Sequence, residues 1–270
     1  TNPFVVPVQQ ARAAGIVPVA ASGNQTFTDG ISRPACTPGV VSVGAVYDAN
    51  VGAINWTGLC AETGTAADKV ACFSNSANFL TLLAPGALIT AAGSTKGGTS
   101  AASPHVAGAV AVLRAAFATE TLDQTVARLV NNGSLITDVR NGLVQPRLQL
   151  AKAARPAADD FASAVPLAGT SGTVSSLNNL LATKQSGEPV HAGNAGGASV
   201  WLVWTAPATG LLTLDTHGSA FDTLLAVYTG SGVQQLTLVA ANDNDGSASG
   251  GSGVTFEVQA GTQYYIAVDG

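Results

Sequence analysis

Two hydrophobic patterns divide this chain. Up to about residue 155, short apolar runs alternate with stretches of helical spacing. Residues 16–21, 40–46 and 79–84 are predominantly apolar, as in strands covered on both faces. Between and after them lie helix signals. Residues 7–14 predict a short helix, with Pro7 in its first turn and Gly15 as its stop. Residues 103–118, rich in Ala, Val and Leu, predict a buried helix. Thr121 and Gln124 have capping-box spacing, and beyond them Leu122, Val126, Leu129 and Val130 share one helical face until Asn132-Gly133. Helices interleaved with continuous apolar strands predict an α/β fold: a mainly parallel sheet with helices on both faces.

After residue 155 the period changes. Strand-like runs recur at 200–205, 211–215, 224–228, 236–240, 254–258 and 264–268, separated by clusters of Gly, Ser, Asn and Asp. This spacing predicts a second, all-β unit, an antiparallel sandwich or jelly roll. Trp201 and Trp204 differ in strand parity, so they point to opposite faces. Small residues around Pro156 mark the join, which gives units 1–155 and 156–270.

Charge sharpens that division. The 270 residues carry a net charge of −5. Residues 1–155 hold ten of the eleven basic and seven of the sixteen acidic residues, a net +3. Residues 156–270 hold only Lys184 against nine acids, a net −8. This balance argues against a nucleic-acid partner. With 46% hydrophobic residues and a mean hydropathy of +0.30, the chain is not intrinsically disordered. No run of 18 uninterrupted apolar residues occurs, so no membrane span is expected. There is no Met and no leader. The expectation is a chain that begins inside a longer polypeptide or after processing.

The candidate chemistry centres on Gly97 to Gly108. Paired glycines let backbone pass close to a ligand. Ser100 follows them at the start of a small-residue helix, where unpaired N–H groups and the helix dipole favour negative charge. Spacing alone also fits a capped, buried helix. The α/β-hydrolase elbow is set aside, because G-x-S-x-G requires Gly where Ala102 stands.

Gly98-Thr99-Ser100-Ala101-Ala102-Ser103-Pro104-His105 resembles G-T-S-x-A-S/T-P-H, the nucleophile motif of the subtilases, the subtilisin-like serine peptidases. Other stretches match in chain order. Ala20-Ala21-Ser22-Gly23-Asn24 resembles the strand end that carries the oxyanion asparagine. Pro34-Ala35 and Val41-Ser42-Val43-Gly44-Ala45 also fit the family, as do Cys72-Phe73-Ser74-Asn75-Ser76 and Leu83-Ala84-Pro85-Gly86. The resemblance covers residues 1–155. It implies Ser100 as nucleophile, with the Asn24 side chain and the Ser100 N–H as oxyanion donors. It further implies Ala21, Ser22, Gly23 and Thr99 at the substrate, His105 packed as a structural residue, and no cofactor for the chemistry. The implied activity is endopeptidase action on peptide or protein through an acyl-enzyme. The triad runs Asp, His, Ser, and no D-T/S-G or H-G-T segment occurs. The first two members are expected upstream, and this piece alone is expected to be inactive.

Residues 159–270 resemble the bacterial pre-peptidase C-terminal domain. The match rests on Gly187 to Asn194, Ser199 to Pro207, Phe221 to Thr229 and Tyr264 to Gly270. The implied protein is a secreted bacterial enzyme, read as a monomer. Two rival readings are a non-catalytic subtilase-like surface protein, and a chain whose β half binds protein or polysaccharide. Cys60 and Cys72, with 11 residues between them, suit a disulfide. Cys36 is open to either partner or to a cysteine outside this sequence. The Asn242–Gly246 loop makes Asp243 and Asp245 calcium candidates, against a solvated hairpin turn.

Overall fold

A computed structural model describes residues 2–175, 177–247 and 250–270. The chain divides after Ala154 into two compact units. In the first, helix α1 (Val5–Ala13) leads to strand β1 (Val19–Ala21) and β2 (Val41–Val46). A small hairpin follows, β3 (Ile54–Trp56) with β4 (Cys60–Glu62). Next come β5 (Leu82–Pro85) and a second hairpin, β6 (Ile89–Ala91) with β7 (Ser94–Lys96). Helices α2 (Thr99–Ala116) and α3 (Leu122–Asn131) precede β8 (Ser134–Thr137), β9 (Val144–Arg147) and the one-turn α4 (Leu150–Ala153).

The main sheet runs β1-β2-β5-β9-β8. Its pairs are parallel, except that β8 joins β9 antiparallel. Strand β2 is buried at every position. Val41, Val43 and Ala45 pack with Leu82 and Ala84 in one core with Ala102, Val106, Ala109 and Leu113 of α2. Small side chains at 102 and 109 let this helix lie close to the sheet. Val46 and Leu83 belong to a separate cluster with Val70, Leu80, Ile31 and Ile136. Strands and loops supply that cluster, where helices on both faces were expected.

Several boundaries moved for identifiable reasons. Strand β1 starts at Val19, because Pro18 has no N–H for a ladder and α1 closes its C-terminus through Ile16 N–H to the Ala11 carbonyl. Strand β5 starts at Leu82, since Leu80 N–H closes a turn onto Ala77 and Phe79 is exposed. The α3 capping box forms as expected: Thr121 Oγ1 accepts from Gln124 N–H, and Gln124 Oε1 accepts from Thr121 N–H.

In the second unit a 3-10 turn (Phe161–Ser163) precedes β10 (Val165–Leu167), β11 (Val200–Thr205), β12 (Gly210–Asp215) and β13 (Leu224–Thr229). Then come β14 (Thr237–Asn242), β15 (Gly253–Val258) and β16 (Gln263–Asp269). One sheet runs β10-β11-β16-β13-β14, and β12 pairs with β15. Leu202, Trp204, Leu225, Val227 and Ile266 of the large sheet share a core with Val254, Phe256 and Val258 of the small one. Trp201 lies in a different cluster, with Phe161, Ala226 and Tyr228. The two tryptophans therefore face apart, as their parity predicts. Each indole N–H is satisfied, Trp201 by Glu188 at 3.0 Å and Trp204 by the Gly169 carbonyl at 2.9 Å.

Candidate active site

The site is assembled where β1 ends and α2 begins. Past Ala21 the chain bends through Ser22, Gly23 and Asn24. Gly23 has φ +103, and a Cβ there would lie 2.4 Å from Asn75 Nδ2 and from Ser32 Oγ. Only glycine fits. On the other side, Gly98 caps α2 with φ +149, its N–H bound to the Gly86 carbonyl at 2.8 Å.

Thr99 joins the two segments. Its N–H and its Oγ1 both donate to Asn24 Oδ1 at 2.9 Å, while Oγ1 accepts the Gly23 N–H at 3.1 Å. This fixes the Asn24 amide, with Oδ1 held by Thr99 and the Nδ2 donor left for the opposite side. A Cβ on Gly98 would lie 3.2 Å from Ser100 Oγ and 3.4 Å from Asn24 Nδ2. The missing side chain therefore leaves hydroxyl and amide donor facing one open space. Thr99 is fully buried, whereas Ser100 next to it is exposed. Ser100 lies in the first turn of α2, where backbone N–H groups have no intrahelical acceptor. The Ser100 hydroxyl and the Asn24 side-chain N–H thus lie beside one space at the start of α2.

The other expected residues distribute as follows. Ala21 and Gly23 are half-buried. Ser22 is fully buried, with Oγ donating to the Asn75 carbonyl at 3.0 Å. Because α2 starts at Thr99, Pro104 is in its second turn and has no N–H for the Ser100 carbonyl. A helix starting at Ser103 was expected. His105 corrects a second expectation. Rather than packed, it is exposed, its Nδ1 donating to the Ala101 carbonyl at 3.0 Å.

The remaining histidines lie in the second unit. His191 is fully buried between Glu188 Oε1 at 3.1 Å and the Tyr228 hydroxyl at 2.8 Å. Burial works to raise the Glu188 carboxyl, but donation from His191, Ser199 and the Gln185 N–H holds it below the usual carboxylate range. Burial, helped by the Glu188 charge, pushes the Tyr228 hydroxyl up to about 12. His217 is raised by its hydrogen bond to Asp245. Asp245 is lowered, chiefly by the Ser247 N–H.

That pairing bears on the calcium candidates. Asp245 is engaged by His217 and Ser247, and Asp243 accepts from Asn244. Among the described residues, no three His, Cys, Asp or Glu side chains gather as a metal site. Both candidate carboxylates are thus already partnered by protein groups. The structure bridges Cys60 to Cys72, and Cys36 is free.

Asn75 lies within the Cys72–Ser76 motif, whose sequence assigns it no role. It is fully buried and polar, and its side chain bonds to both flanks of Asn24. The signal lay in its long-range partners, which no spacing rule reveals.

The profile of the subtilase family, peptidase S8, matches residues 2–160. The chain belongs to the subtilase family. Subtilisin-like protease 2 of Trichophyton equinum is 35% identical over 137 residues, 48% of this chain and 28% of that protein. Its counterpart in Arthroderma otae is 34% identical over 137 residues, with the same coverage. The chain thus spans little more than a quarter of the length of these curated relatives. Among solved structures, a cold-adapted subtilisin-like serine proteinase aligns at TM-score 0.44 and 28% identity, over 55% of this chain and 50% of that one. Sphericase aligns at TM-score 0.42 and 22% identity, over 54% and 52%. No helix among the described residues is long and apolar enough to cross a membrane.

Proposed function

We propose that Ser100 is the nucleophile of a subtilisin-type endopeptidase acting on peptide or protein substrates. Ser100 Oγ attacks the scissile carbonyl carbon and passes its proton to a base. The resulting oxyanion accepts hydrogen bonds from Asn24 Nδ2 and the Ser100 N–H. The C–N bond then breaks, the amine leaves with the proton held by the base, and water hydrolyses the acyl-enzyme. The observation carrying this reading is the fixed Asn24 amide, whose donor side shares the space over Gly98 with the Ser100 hydroxyl.

The base comes from outside these 270 residues. Each histidine is engaged elsewhere: His105 with Ala101, His191 with Glu188 and Tyr228, His217 with Asp245. The proposed triad Asp and His belong to preceding polypeptide. The same observation supports one alternative, a non-catalytic subtilase-like surface protein that lacks them. Ala21, Ser22, Gly23 and Thr99 would meet substrate mainly through backbone, because the hydroxyls of Ser22 and Thr99 are taken by protein partners. The second unit is proposed as an accessory β-sandwich of pre-peptidase C-terminal type, with its two-sheet core in support. Extracellular location is supported by the Cys60–Cys72 bridge. A fluorophosphonate probe, with the modified residue mapped in full-length protein and in a Ser100→Ala variant, tests the assignment. Labelling at Ser100 supports it, and a full-length protein that resists the probe favours the non-catalytic alternative.

A further inference from the structure

We infer that Asn75 is a positioning residue for the oxyanion donor Asn24, and that the Cys72–Ser76 segment is the fixed frame to which the donor loop is attached. The inference rests on the proposed role of Asn24 and extends it to a residue that touches no substrate.

Asn24 sits just past the end of the β1 ladder, whose last bond runs from the Ser22 N–H to the Val43 carbonyl, and the backbone beyond it is irregular. Asn75 supplies the missing partners. Its Oδ1 accepts the N–H of Gln25 at 2.9 Å and of Phe27 at 3.1 Å. Its Nδ2 donates to the Ser22 carbonyl at 3.1 Å and to Gln25 Oε1 at 2.7 Å. Its N–H donates to the Gly23 carbonyl at 2.9 Å, and its carbonyl accepts from Ser22 Oγ at 3.0 Å. Residues 22, 23, 25 and 27 are thus all held by one buried amide residue, and Asn24 is the residue between them. Phe73 adds a further tie, its carbonyl accepting the Thr26 N–H at 3.1 Å.

The frame is itself anchored from two sides. Cys72 is bridged to Cys60. Arg140 Nη1 donates to the Cys72 and Ser74 carbonyls at 2.8 Å each, and its guanidinium is paired with Asp138. A side chain so embedded transmits position rather than chemistry. A small misplacement of a catalytic group is costly, because stabilisation depends on geometry at the reacting atom.

The test is a double-mutant cycle in the full-length peptidase. Asn75→Ala should lower kcat by about 10- to 100-fold with KM little changed. In an Asn24→Ala background, the Asn75→Ala change should lose most of that effect. Independent, additive losses, or a change in KM alone, overturn the inference. Should Asn75→Ala fail to fold, Asn75→Asp keeps the acceptor for Gln25 and Phe27 and should retain more activity than Asn24→Ala. Equal or lower activity overturns the inference. Amide hydrogen exchange on the 270-residue chain gives a readout without turnover. Gln25 and Phe27 N–H groups should exchange faster in the Asn75→Ala chain, which loses their acceptor, while those of β2 hold. Unchanged exchange at 25 and 27 also overturns the inference. A Ser100→Ala enzyme that still cleaves peptide would refute the parent reading instead, and leaves the exchange result as the judge of the bracing itself.

Discussion

Thr99 shows how one hydroxyl serves both the fold and the site. Its Oγ1 accepts from Gly23 and donates to Asn24, so it joins two segments distant in sequence at one point. Thr99→Val keeps shape but strands the Gly23 N–H and removes one of the two holds on the Asn24 amide. The expected cost is about 1–3 kcal/mol of stability, read by chemical denaturation. A variant as stable as the parent would show that the hydroxyl bridge contributes nothing. For Asn24→Ala the expected loss of turnover is about 10²–10³, the magnitude known for subtilisin's own oxyanion asparagine rather than one derived from this structure. At this scale the sequence was informative wherever a motif is contiguous. The contiguous motifs single out Ser100, Asn24 and the glycines before Ser100, and the structure brings these residues to one place. They do not single out Asn75, because its function lies in hydrogen bonds to residues about fifty positions away.

Elements were legible in proportion to their regularity. The α3 cap, the buried β2 run and the six strand runs of the second unit follow from local spacing. The β8–β9 pair did not, because Pro146 interrupts one strand and Leu135 and Thr137 of the other face solvent. Helix α2 begins at Thr99, four residues before the start its sequence predicts, because glycines and a proline there disguise its first turn. The β3–β4 hairpin is held chiefly by tertiary ties. Trp56 stacks edge-on against Phe73 at 4.8 Å and donates to the Tyr47 hydroxyl, which donates to buried Glu62. The Cys60–Cys72 bridge closes a loop across a separation of 12 residues. By loop-closure entropy it contributes about 3 kcal/mol. Reduction, or a Cys60→Ser/Cys72→Ser double variant, should lower the melting temperature of the first unit by roughly 6–12 °C. Calorimetry showing that transition unmoved by reductant would remove the bridge from the account.

At the scale of the whole chain, two units carry opposite net charge, yet both rely on carboxylates held below their usual range. In the first, burial works to raise the Asp138 carboxyl, but hydrogen bonds and charge from Arg140 bring it below normal. In the second, Glu188 and Asp269 show the same contest. Asp269 is lowered against its burial by the N–H groups of Gly197, Ala198 and Gly270 and by Lys184. A folded-state value below the unfolded one adds stability above the unfolded value, and that stability is lost as pH falls through the folded value. Both units should therefore lose melting temperature on acidification below about pH 4. Asp138→Asn should flatten that dependence in the first unit, and Asp269→Asn in the second. Melting temperatures constant from pH 6 down to about pH 2.5 would contradict this.

We propose Ser100 as a serine nucleophile made reactive only together with groups outside these 270 residues. The most direct measurement is fluorophosphonate labelling, with the modified residue located by mass spectrometry, on full-length protein and on the 270-residue chain side by side. Rapid labelling at Ser100 is expected in the full-length protein, abolished by Ser100→Ala, with no rapid labelling of the 270-residue chain. Labelling at another serine, or rapid labelling of Ser100 in the isolated chain, would contradict it.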